Sequence, residues 1–326
     1  MVRASPIEAE VGYGAGATSH DGTWKNFLTV WIPGFRAALS RLMTYARKWG
    51  DELFCKNLKL SEQGCANFCC MESVMADHSL DGRVAVITGA SKGLGKQMAE
   101  ALAQAGATIV VVARNRELLE KVKAGIEDRG GKAHAFAADI RKEAEVSRFA
   151  EQVRAQAGAP DILINNAGIN LRKPLHEFTL EEWHRVMQTN LDSAFLCTRA
   201  FVPGMIGKKF GRIINMTSTM AHVALPGRSA YCATKFGLLG MTKALALELA
   251  PHGITVNGIS PGPFATEMNT VLIEDPVRNA QFISKIPVSR WGKVEEIGPL
   301  AVFLCSGAAG FITGTDIVID GGWTAQ

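Results

Sequence analysis

Three side chains in the second half of the chain have the types and spacing needed to move a proton to or from an oxygen. Tyr231 and Lys235 are four residues apart, so a helix would present both on one face. A phenol with a pKa of about 10 is a poor base at neutral pH, but a nearby ammonium group lowers that pKa. Ser218 lies thirteen residues before Tyr231 and can hydrogen-bond the same oxygen. Each side chain alone is also typical of a helix surface or a turn, so the catalytic interpretation depends on the surrounding motifs.

A glycine-rich turn near residue 90 joins an apolar β-branched run to a helical stretch, with the sequence Thr88-Gly89-Ala90-Ser91-Lys92-Gly93-Leu94-Gly95. Glycines at such a turn let the backbone approach a pyrophosphate closely. The helix that follows presents free N–H groups and the positive end of its dipole to the phosphates. Because the turn lies after a strand and before an amphipathic helix, it predicts dinucleotide binding.

The chain from about residue 80 onward alternates short apolar runs with helical stretches. Continuous hydrophobic runs are typical of parallel strands that are buried on both faces. Seven strands are predicted, at Val84–Thr88, Thr108–Ala113, Lys132–Ala138, Ile162–Asn165, Arg212–Met216, Thr255–Ile259 and Asp316–Asp320. Helices are predicted between them, including Leu94–Ala105, Arg116–Arg129 and Tyr231–Ala250. The alternation predicts an α/β fold, a Rossmann-type, doubly wound, parallel seven-stranded sheet with helices on both faces.

Residues 1–74 have no such alternation and are predicted to be an extension to a nucleotide-binding domain at 75–326. The extension holds three of the six tryptophans and four of the seven cysteines. Met75 begins a typical lead into the first strand, so we expect the extension to be poorly ordered or a misassigned start. Its cysteines lack the paired C-x2-C spacing of common zinc sites, and no metal site is predicted.

The composition argues against several classes of protein. Hydrophobic residues make up 47% and charged residues 20% of the chain, as in ordinary globular proteins. A formal charge of +4 is too small and dispersed for a nucleic-acid partner, which needs a clustered basic face. No apolar run approaches the roughly 18–20 residues that cross a bilayer, so no membrane partner is expected. Seven cysteines do not make a disulfide scaffold in a chain of this length, and we expect reduced thiols in a cytoplasmic protein.

The TGxxxGxG turn resembles that of the short-chain dehydrogenase/reductase family, and further family motifs follow it in order. They are Asn165-Asn166-Ala167-Gly168, Asn190, Ser218, Tyr231-x-x-x-Lys235, Pro261-Gly262 and Asp320-Gly321-Gly322. The resemblance covers about residues 79–326. It implies an oxidoreductase that interconverts an alcohol and a ketone by hydride transfer with a nicotinamide cofactor. It also implies a homotetramer or homodimer.

The resemblance implies roles for four predicted catalytic residues. Tyr231 would donate a proton to the carbonyl oxygen during reduction, while Ser218 holds that oxygen in place. Lys235 would bind the ribose hydroxyls of the cofactor, and Asn190 would support a water chain to Lys235. The predicted cofactor-binding set joins Tyr231 and Lys235 to Gly89, Ser91, Lys92, Gly93, Leu94, Gly95, Arg114, Asn115, Asp139, Ile140, Asn166, Ala167, Gly168, Pro261, Gly262 and Thr266.

The end of the second predicted strand favours NADP(H) over NAD(H). NAD-dependent relatives place an acidic residue where Ala113 stands, and a carboxylate there would repel a 2′-phosphate. Arg114 follows this neutral position, and its guanidinium suits a phosphate in shape and charge. Lys92 in the glycine turn is a second cation for that phosphate. The alternative is that Arg114 is a solvated loop charge.

Four basic side chains are predicted to face the substrate: Arg172, Lys173, His222 and Arg228. Cations that converge on a cleft could hold a carboxylate by charge-assisted hydrogen bonds. The pair at 172–173 and the segment PGPFATEM resemble the gluconate 5-dehydrogenases of the family, which implies a sugar acid such as gluconate or 5-ketogluconate. The segments GRIIN and ITVN also resemble 3-oxoacyl-carrier-protein reductases, and an acidic carrier protein would equally suit exposed cations. A remote alternative is a non-catalytic NADP-binding sensor or scaffold.

Overall fold

The computed structural model describes residues 78–326 of the chain, apart from the side chains of Met268 and Val271. The predicted extension at 1–74, with its tryptophans and cysteines, lies outside the described residues. Its boundary, its order and the start at Met75 therefore stay predictions.

Within residues 78–326, seven parallel strands form one sheet with the order β3-β2-β1-β4-β5-β6-β7. The strands are β1 (Val84–Thr88), β2 (Thr108–Ala113), β3 (Lys132–Ala137), β4 (Ile162–Asn165), β5 (Gly211–Met216), β6 (Ile254–Pro261) and β7 (Asp316–Ile319). The predicted doubly wound parallel sheet is confirmed. The largest difference is in β6, which continues two residues further than predicted, to Pro261.

Helices connect the strands on both faces. Their bounds are α1 (Gly93–Gln104), α2 (Arg116–Glu127), α3 (Glu143–Gln156), α4 (Leu180–Met187), α5 (Ser193–Lys208), α6 (Ser229–Leu249), α7 (Thr270–Ile273), α8 (Pro276–Ile283) and α9 (Ile297–Cys305). A π-helical turn at Gln188–Asp192 joins α4 to α5. Among the described residues, no helix is long and apolar enough to cross a membrane.

Side chains of β1 alternate between two hydrophobic clusters, one on each face of the sheet. Ala85 and Ile87 belong to the cluster that α1, α2 and α9 complete. Val84 and Val86 belong to the cluster that α3, α5 and α6 complete. Because both faces are covered, every position of β1 is apolar or buried, and its sequence does not alternate.

The two edge strands are less buried than predicted. In β3 the terminal residues Lys132 and Ala137 are exposed, and no residue of β7 is fully buried. An edge strand has a neighbour on one side only, so part of it faces solvent in this chain. Continuous burial is therefore a property of the inner strands.

β1 lies between β2 and β4, and the chain winds outward from it in both directions. At such a switch point, the connections diverge to opposite faces of the sheet and leave a crevice at the carboxyl ends of the strands. The glycine turn follows β1, and the segment Asn166–Gly168 follows β4. The topology therefore brings these two motifs to one crevice.

Candidate active site

A cleft of about 1080 Å³ opens at the carboxyl ends of the strands. Most predicted site residues line it: Gly89, Ser91, Lys92, Gly93, Leu94, Gly95, Arg114, Asn115, Asp139, Ile140, Asn166, Ala167, Gly168, Arg172, Ser218, Arg228, Tyr231, Lys235, Pro261, Gly262 and Thr266. Asn190, Lys173 and His222 are not among its lining residues.

The glycine turn packs closely against the segment that follows β4. A Cβ atom on Gly95 would lie 2.3 Å from Asn166 Nδ2, and one on Gly89 would lie 2.8 Å from Ala167 Cα. Gly89 and Gly93 also have positive φ angles of +64° and +57°, a conformation that glycine adopts without strain. These positions therefore require glycine.

Hydrogen bonds fasten the two motifs together. Asn166 Nδ2 donates to the Thr88 carbonyl at 2.9 Å, and Asn166 N donates to Thr88 Oγ1 at 2.9 Å. α1 begins at Gly93, and the side chain of Lys92 does not cap its first N–H groups. Those N–H groups are left for an anion. The cradle therefore fits the pyrophosphate of a dinucleotide.

The end of β2 presents one solvated cation to the cleft. Arg114 is exposed and forms no ion pair with another described residue. Asn115, the next residue, uses its Oδ1 to accept a hydrogen bond from Leu118 N at 3.0 Å and so caps α2. Lys92 is also exposed at the cleft. Arg114 and Lys92 are thus available to an anionic ligand, whereas the Asn115 side chain stabilises a helix.

Asp139 lies on the cleft with its carboxylate already engaged. Arg141 Nε donates to Asp139 Oδ1 at 2.9 Å, and Arg141 Nη2 donates to Oδ2 at 2.6 Å. These hydrogen bonds hold the pKa of Asp139 below its usual value. The Asp139 N–H donates to Glu145 Oε2 at 2.8 Å. These hydrogen bonds fix the backbone and the side chain of Asp139, the residue before Ile140.

Asn190 lies in the π-helical turn, with 1% of its surface exposed. Its Oδ1 accepts from Ile169 N at 2.8 Å, and its Nδ2 donates to the Ile169 carbonyl at 2.9 Å and to Thr234 Oγ1 at 3.1 Å. Asn190 therefore ties the loop after β4 to α6, one residue from Lys235, instead of facing the cleft directly.

Ser218, Tyr231 and Lys235 meet at the cleft. Lys235 Nζ lies 5.5 Å from the centroid of the Tyr231 ring and donates a hydrogen bond to the Met216 carbonyl. Ser218 Oγ accepts from Met220 N at 3.1 Å, and the Ser218 hydroxyl interacts with the Tyr231 phenol. Burial lowers the pKa of Lys235 to about 8, and the charge of Asp316 opposes that change. The arrangement can present a proton and a hydrogen-bond donor to one oxygen.

The sequence analysis predicted a lowered pKa for Tyr231, and for the protein without a bound cofactor this prediction is wrong. Burial raises this pKa above its usual value, because the phenolate loses solvation. The Ser218 hydroxyl and the charges of Arg228 and Arg172 oppose the rise without cancelling it. Tyr231 is therefore held as a phenol, the form that can donate a proton.

The predicted convergence of four cations on the cleft needs correction, since the structure places two of them elsewhere. Lys173 pairs with Glu182 Oε2 at 2.5 Å and lies over the Phe178 ring. His222 Nε2 lies 2.7 Å from Asp316 Oδ2, and His222 is not among the residues that line the cleft. In each case the side chain pairs with a carboxylate that does not line the cleft. Arg172 and Arg228 remain on the cleft.

An aromatic wall on the cleft was missed by the sequence analysis. Phe282 of α8 stacks on Trp291 with the ring centroids 4.8 Å apart. Trp291 Nε1 donates to Asn279 Oδ1 at 2.8 Å, which fixes the ring. The spacing of these residues in the sequence is also typical of an ordinary amphipathic helix and loop, so it gave no signal for a cleft.

Comparisons with known proteins agree with this geometry. A family model described as Enoyl-(Acyl carrier protein) reductase matches residues 89–324. The chain is 39% identical over 248 residues to gluconate 5-dehydrogenase of Gluconobacter oxydans, covering 76% of this chain and 97% of that one. It is 37% identical over 243 residues to a 3-oxoacyl-(acyl-carrier-protein) reductase of Haemophilus influenzae, covering 74% and 98%.

Among solved structures, the chain is similar to a gluconate 5-dehydrogenase from Burkholderia cenocepacia in complex with NADP and tartrate. The TM-score is 0.75 at 38% identity, over 78% of this chain and 99% of that chain. Both groups that the motifs resemble are thus represented among the relatives, and the similarity covers nearly the whole length of each relative. The chain belongs to the short-chain dehydrogenase/reductase family, and it is an oxidoreductase that acts on a CH–OH group with a nicotinamide cofactor.

Proposed function

We propose that this protein is an NADP(H)-preferring enzyme that interconverts a secondary alcohol and a ketone on a sugar acid, such as gluconate and 5-ketogluconate. When bound, the cofactor supplies or accepts the hydride. Tyr231 donates the proton to the carbonyl oxygen, and Ser218 hydrogen-bonds the same oxygen. Lys235 binds the nicotinamide ribose, and Asn190 holds the loop and helix around Lys235 in place.

The observation that carries the substrate class is a pair of guanidinium groups beside Tyr231. Arg172 donates to Asn269 Oδ1 at 3.3 Å, and neither Arg172 nor Arg228 forms an ion pair with a described residue. Burial and the charge of Arg172 both lower the pKa of Arg228. These two neighbouring cations repel each other, and a carboxylate between them would relieve the repulsion.

The cofactor preference is supported by Arg114 and Lys92, which are exposed on the cleft near the neutral Ala113. A 2′-phosphate would find two cations there and a neutral residue at position 113. The similar structure from Burkholderia cenocepacia binds NADP, and it also binds tartrate, a hydroxy acid with two carboxylates. Both ligands fit the charges of this cleft.

The decisive assay compares 5-ketogluconate with a 3-ketoacyl thioester, each reduced with NADPH. Arg172→Ala and Arg228→Ala should lower kcat/KM for 5-ketogluconate by roughly 10- to 100-fold, since a hydrogen bond to a charged group is worth about 1.5–3 kcal/mol. Lys173→Ala is the matched control, because this cation pairs with Glu182 off the cleft. Its kcat/KM should stay near that of the wild type.

A 3-oxoacyl-carrier-protein reductase is the second candidate, and the stacked pair Phe282 and Trp291 favours it by offering an apolar wall to an acyl chain. If the thioester is reduced far faster and both arginine variants reduce 5-ketogluconate like the wild type, the sugar-acid assignment should be dropped in favour of this one.

We also infer a homo-oligomer, either a tetramer or a dimer, that works in the cytoplasm. The exposed apolar side chains Phe195 of α5 and Phe236 and Leu247 of α6 support the first inference, because they would be covered by a second copy. The free thiols of Cys197 and Cys305 support the second. Sedimentation of the purified protein tests the assembly, and a monomer at micromolar concentration would contradict it.

A further inference from the structure

A buried carboxylate lies behind the proposed catalytic groups. Asp316 is the first residue of β7, and 4% of its side chain is exposed. We propose that Asp316 is a positioning residue that, through Thr217, holds the Met216 carbonyl and the Ser218 hydroxyl in place for Lys235 and Tyr231. The inference rests on the roles proposed above for Ser218, Tyr231 and Lys235.

Three hydrogen bonds fix the carboxylate. Thr217 Oγ1 donates to Asp316 Oδ1 at 2.6 Å, and Ser260 Oγ donates to Oδ2 at 2.7 Å. His222 Nε2 lies 2.7 Å from Oδ2. A Cβ atom on Gly258 would lie 2.2 Å from Asp316 Oδ1, so the carboxylate fits only because residue 258 is glycine. The carboxylate is therefore held by β6 and by the loop after β5.

Thr217 transmits this placement to the cleft. Its N–H donates to the Ile259 carbonyl at 2.9 Å, and its hydroxyl lies between Asp316 and Ser260. The residue before it provides the carbonyl that Lys235 binds, and the residue after it is Ser218. A change in the Thr217 position would therefore move the Lys235 acceptor and the Ser218 hydroxyl together.

Asp316 also supplies charge. Its negative charge raises the pKa of Lys235 against the effect of burial, so it favours the ammonium form. The titratable groups that interact with this carboxylate come from two elements: His222 on the loop after β5, and Lys235 on α6. Thr217 lines the cleft and Asp316 does not. The charge of Asp316 can therefore act on Lys235 while the cleft stays open to ligands.

The test replaces Asp316 with asparagine, which keeps the shape and one acceptor but removes the charge. Using the ketone that the wild type reduces fastest, we expect kcat to fall about tenfold or more while the KM for NADPH changes less than about twofold. Loss of the negative charge lowers the pKa of Lys235 further, so the alkaline fall of kcat should move to lower pH. Asp161→Asn is the matched control, because its carboxylate is as buried as that of Asp316 but lies just before β4, at the opposite end of the strands from the cleft, where it accepts from Val84 N and Lys208 Nζ. Its kcat and pH profile should match the wild type.

The proposal is overturned if Asp316→Asn keeps more than half of kcat, if its alkaline fall stays at the wild-type pH, or if Asp161→Asn loses as much activity. If Asp316→Asn does not fold, a comparison of Thr217→Val with Thr217→Ser tests the proposal instead. The valine removes the hydroxyl and should lose kcat, the serine keeps it and should retain kcat, and equal activities would overturn the proposal. Tyr231→Phe is measured beside them, because high activity in that variant would refute the proposed catalytic roles and not the Asp316 network.

Discussion

Replacing Lys235 with methionine should abolish turnover and still make the folded protein more stable at neutral pH. Lys235 is 4% exposed, and burial lowers the pKa of its ammonium from 10.5 to about 8. At pH 7 the side chain is therefore charged in both the folded and the unfolded chain. Burying that charge destabilises the folded state, and methionine has a similar length without the charge.

The size of the gain follows from the pKa and one hydrogen bond. The gap between 10.5 and about 8 corresponds to roughly 3 kcal/mol, since one pKa unit is about 1.4 kcal/mol. Methionine cannot donate to the Met216 carbonyl, and because the Lys235 donor is charged, that loss offsets roughly 1.5–3 kcal/mol. A net gain of up to about 1.5 kcal/mol should raise Tm by up to roughly 6 °C in a domain of this size.

The pH dependence distinguishes this cause from better packing. Above pH 8 the folded wild type has released the Lys235 proton while the unfolded chain still holds it, so wild-type stability rises up to pH 10.5. The advantage of Lys235→Met should therefore shrink between pH 8 and 10.5 and be full below pH 8. Thermal unfolding of the wild type and the variant across this window measures the difference directly.

Lys243→Met is the matched control, because Lys243 is exposed on the same helix, α6. Its stability relative to the wild type should stay within about 0.5 kcal/mol across the window. A less stable Lys235→Met protein at pH 7 would refute the estimate. A stability difference that stays constant from pH 7 to 10.5 would show that the buried charge is not its cause.

Four further outcomes are expected. Tyr231→Phe should bind NADPH almost normally and lose roughly 10²–10⁴-fold in turnover, so retention of more than about a tenth would contradict its role as proton donor. Because the chain has three tyrosines, the near-ultraviolet titration difference between the wild type and Tyr231→Phe should show phenolate formation above the usual tyrosine pKa, and a transition below it would contradict the effect of burial. Arg114→Asp should lower the NADP-to-NAD ratio of kcat/KM, since it removes a phosphate partner and adds a repelling charge, and an unchanged ratio would make Arg114 a surface charge. Deletion of residues 1–74 should leave folding and turnover intact, and an insoluble or inactive product would show that the extension is needed.

The sheet and the cleft-lining motifs were predictable because they depend on local signals. Two-sided burial makes the inner strands continuously apolar, and the turn at Gly89–Gly95 needs residues without side chains for close packing. Once the strand order is doubly wound, the ends of β1 and β4 must meet. Backbone requirements of this kind are carried by residue types at fixed spacings.

The pairing of the cationic side chains with carboxylates was not predictable. His222 was expected to face the substrate, but it is paired with Asp316, 94 residues later in the chain. Lys173 was expected there too, but it is paired with Glu182. The sequence analysis considered only the effect of Lys235 on Tyr231 and left out burial. Burial raises the pKa of Tyr231 and lowers the pKa of Lys235.

The charges of the cleft connect its two ends. Six basic side chains line it but only two acidic ones, and one of those, Asp139, is already paired with Arg141. Arg114 and Lys92 lie at the cofactor end and Arg172 and Arg228 at the substrate end, none of them in an ion pair with a described residue. Asp316, which favours the ammonium form of Lys235, stays outside the cleft. A cleft built in this way attracts anions at both ends, so binding of the proposed phosphate groups of the cofactor and carboxylate of the substrate should each weaken as ionic strength rises.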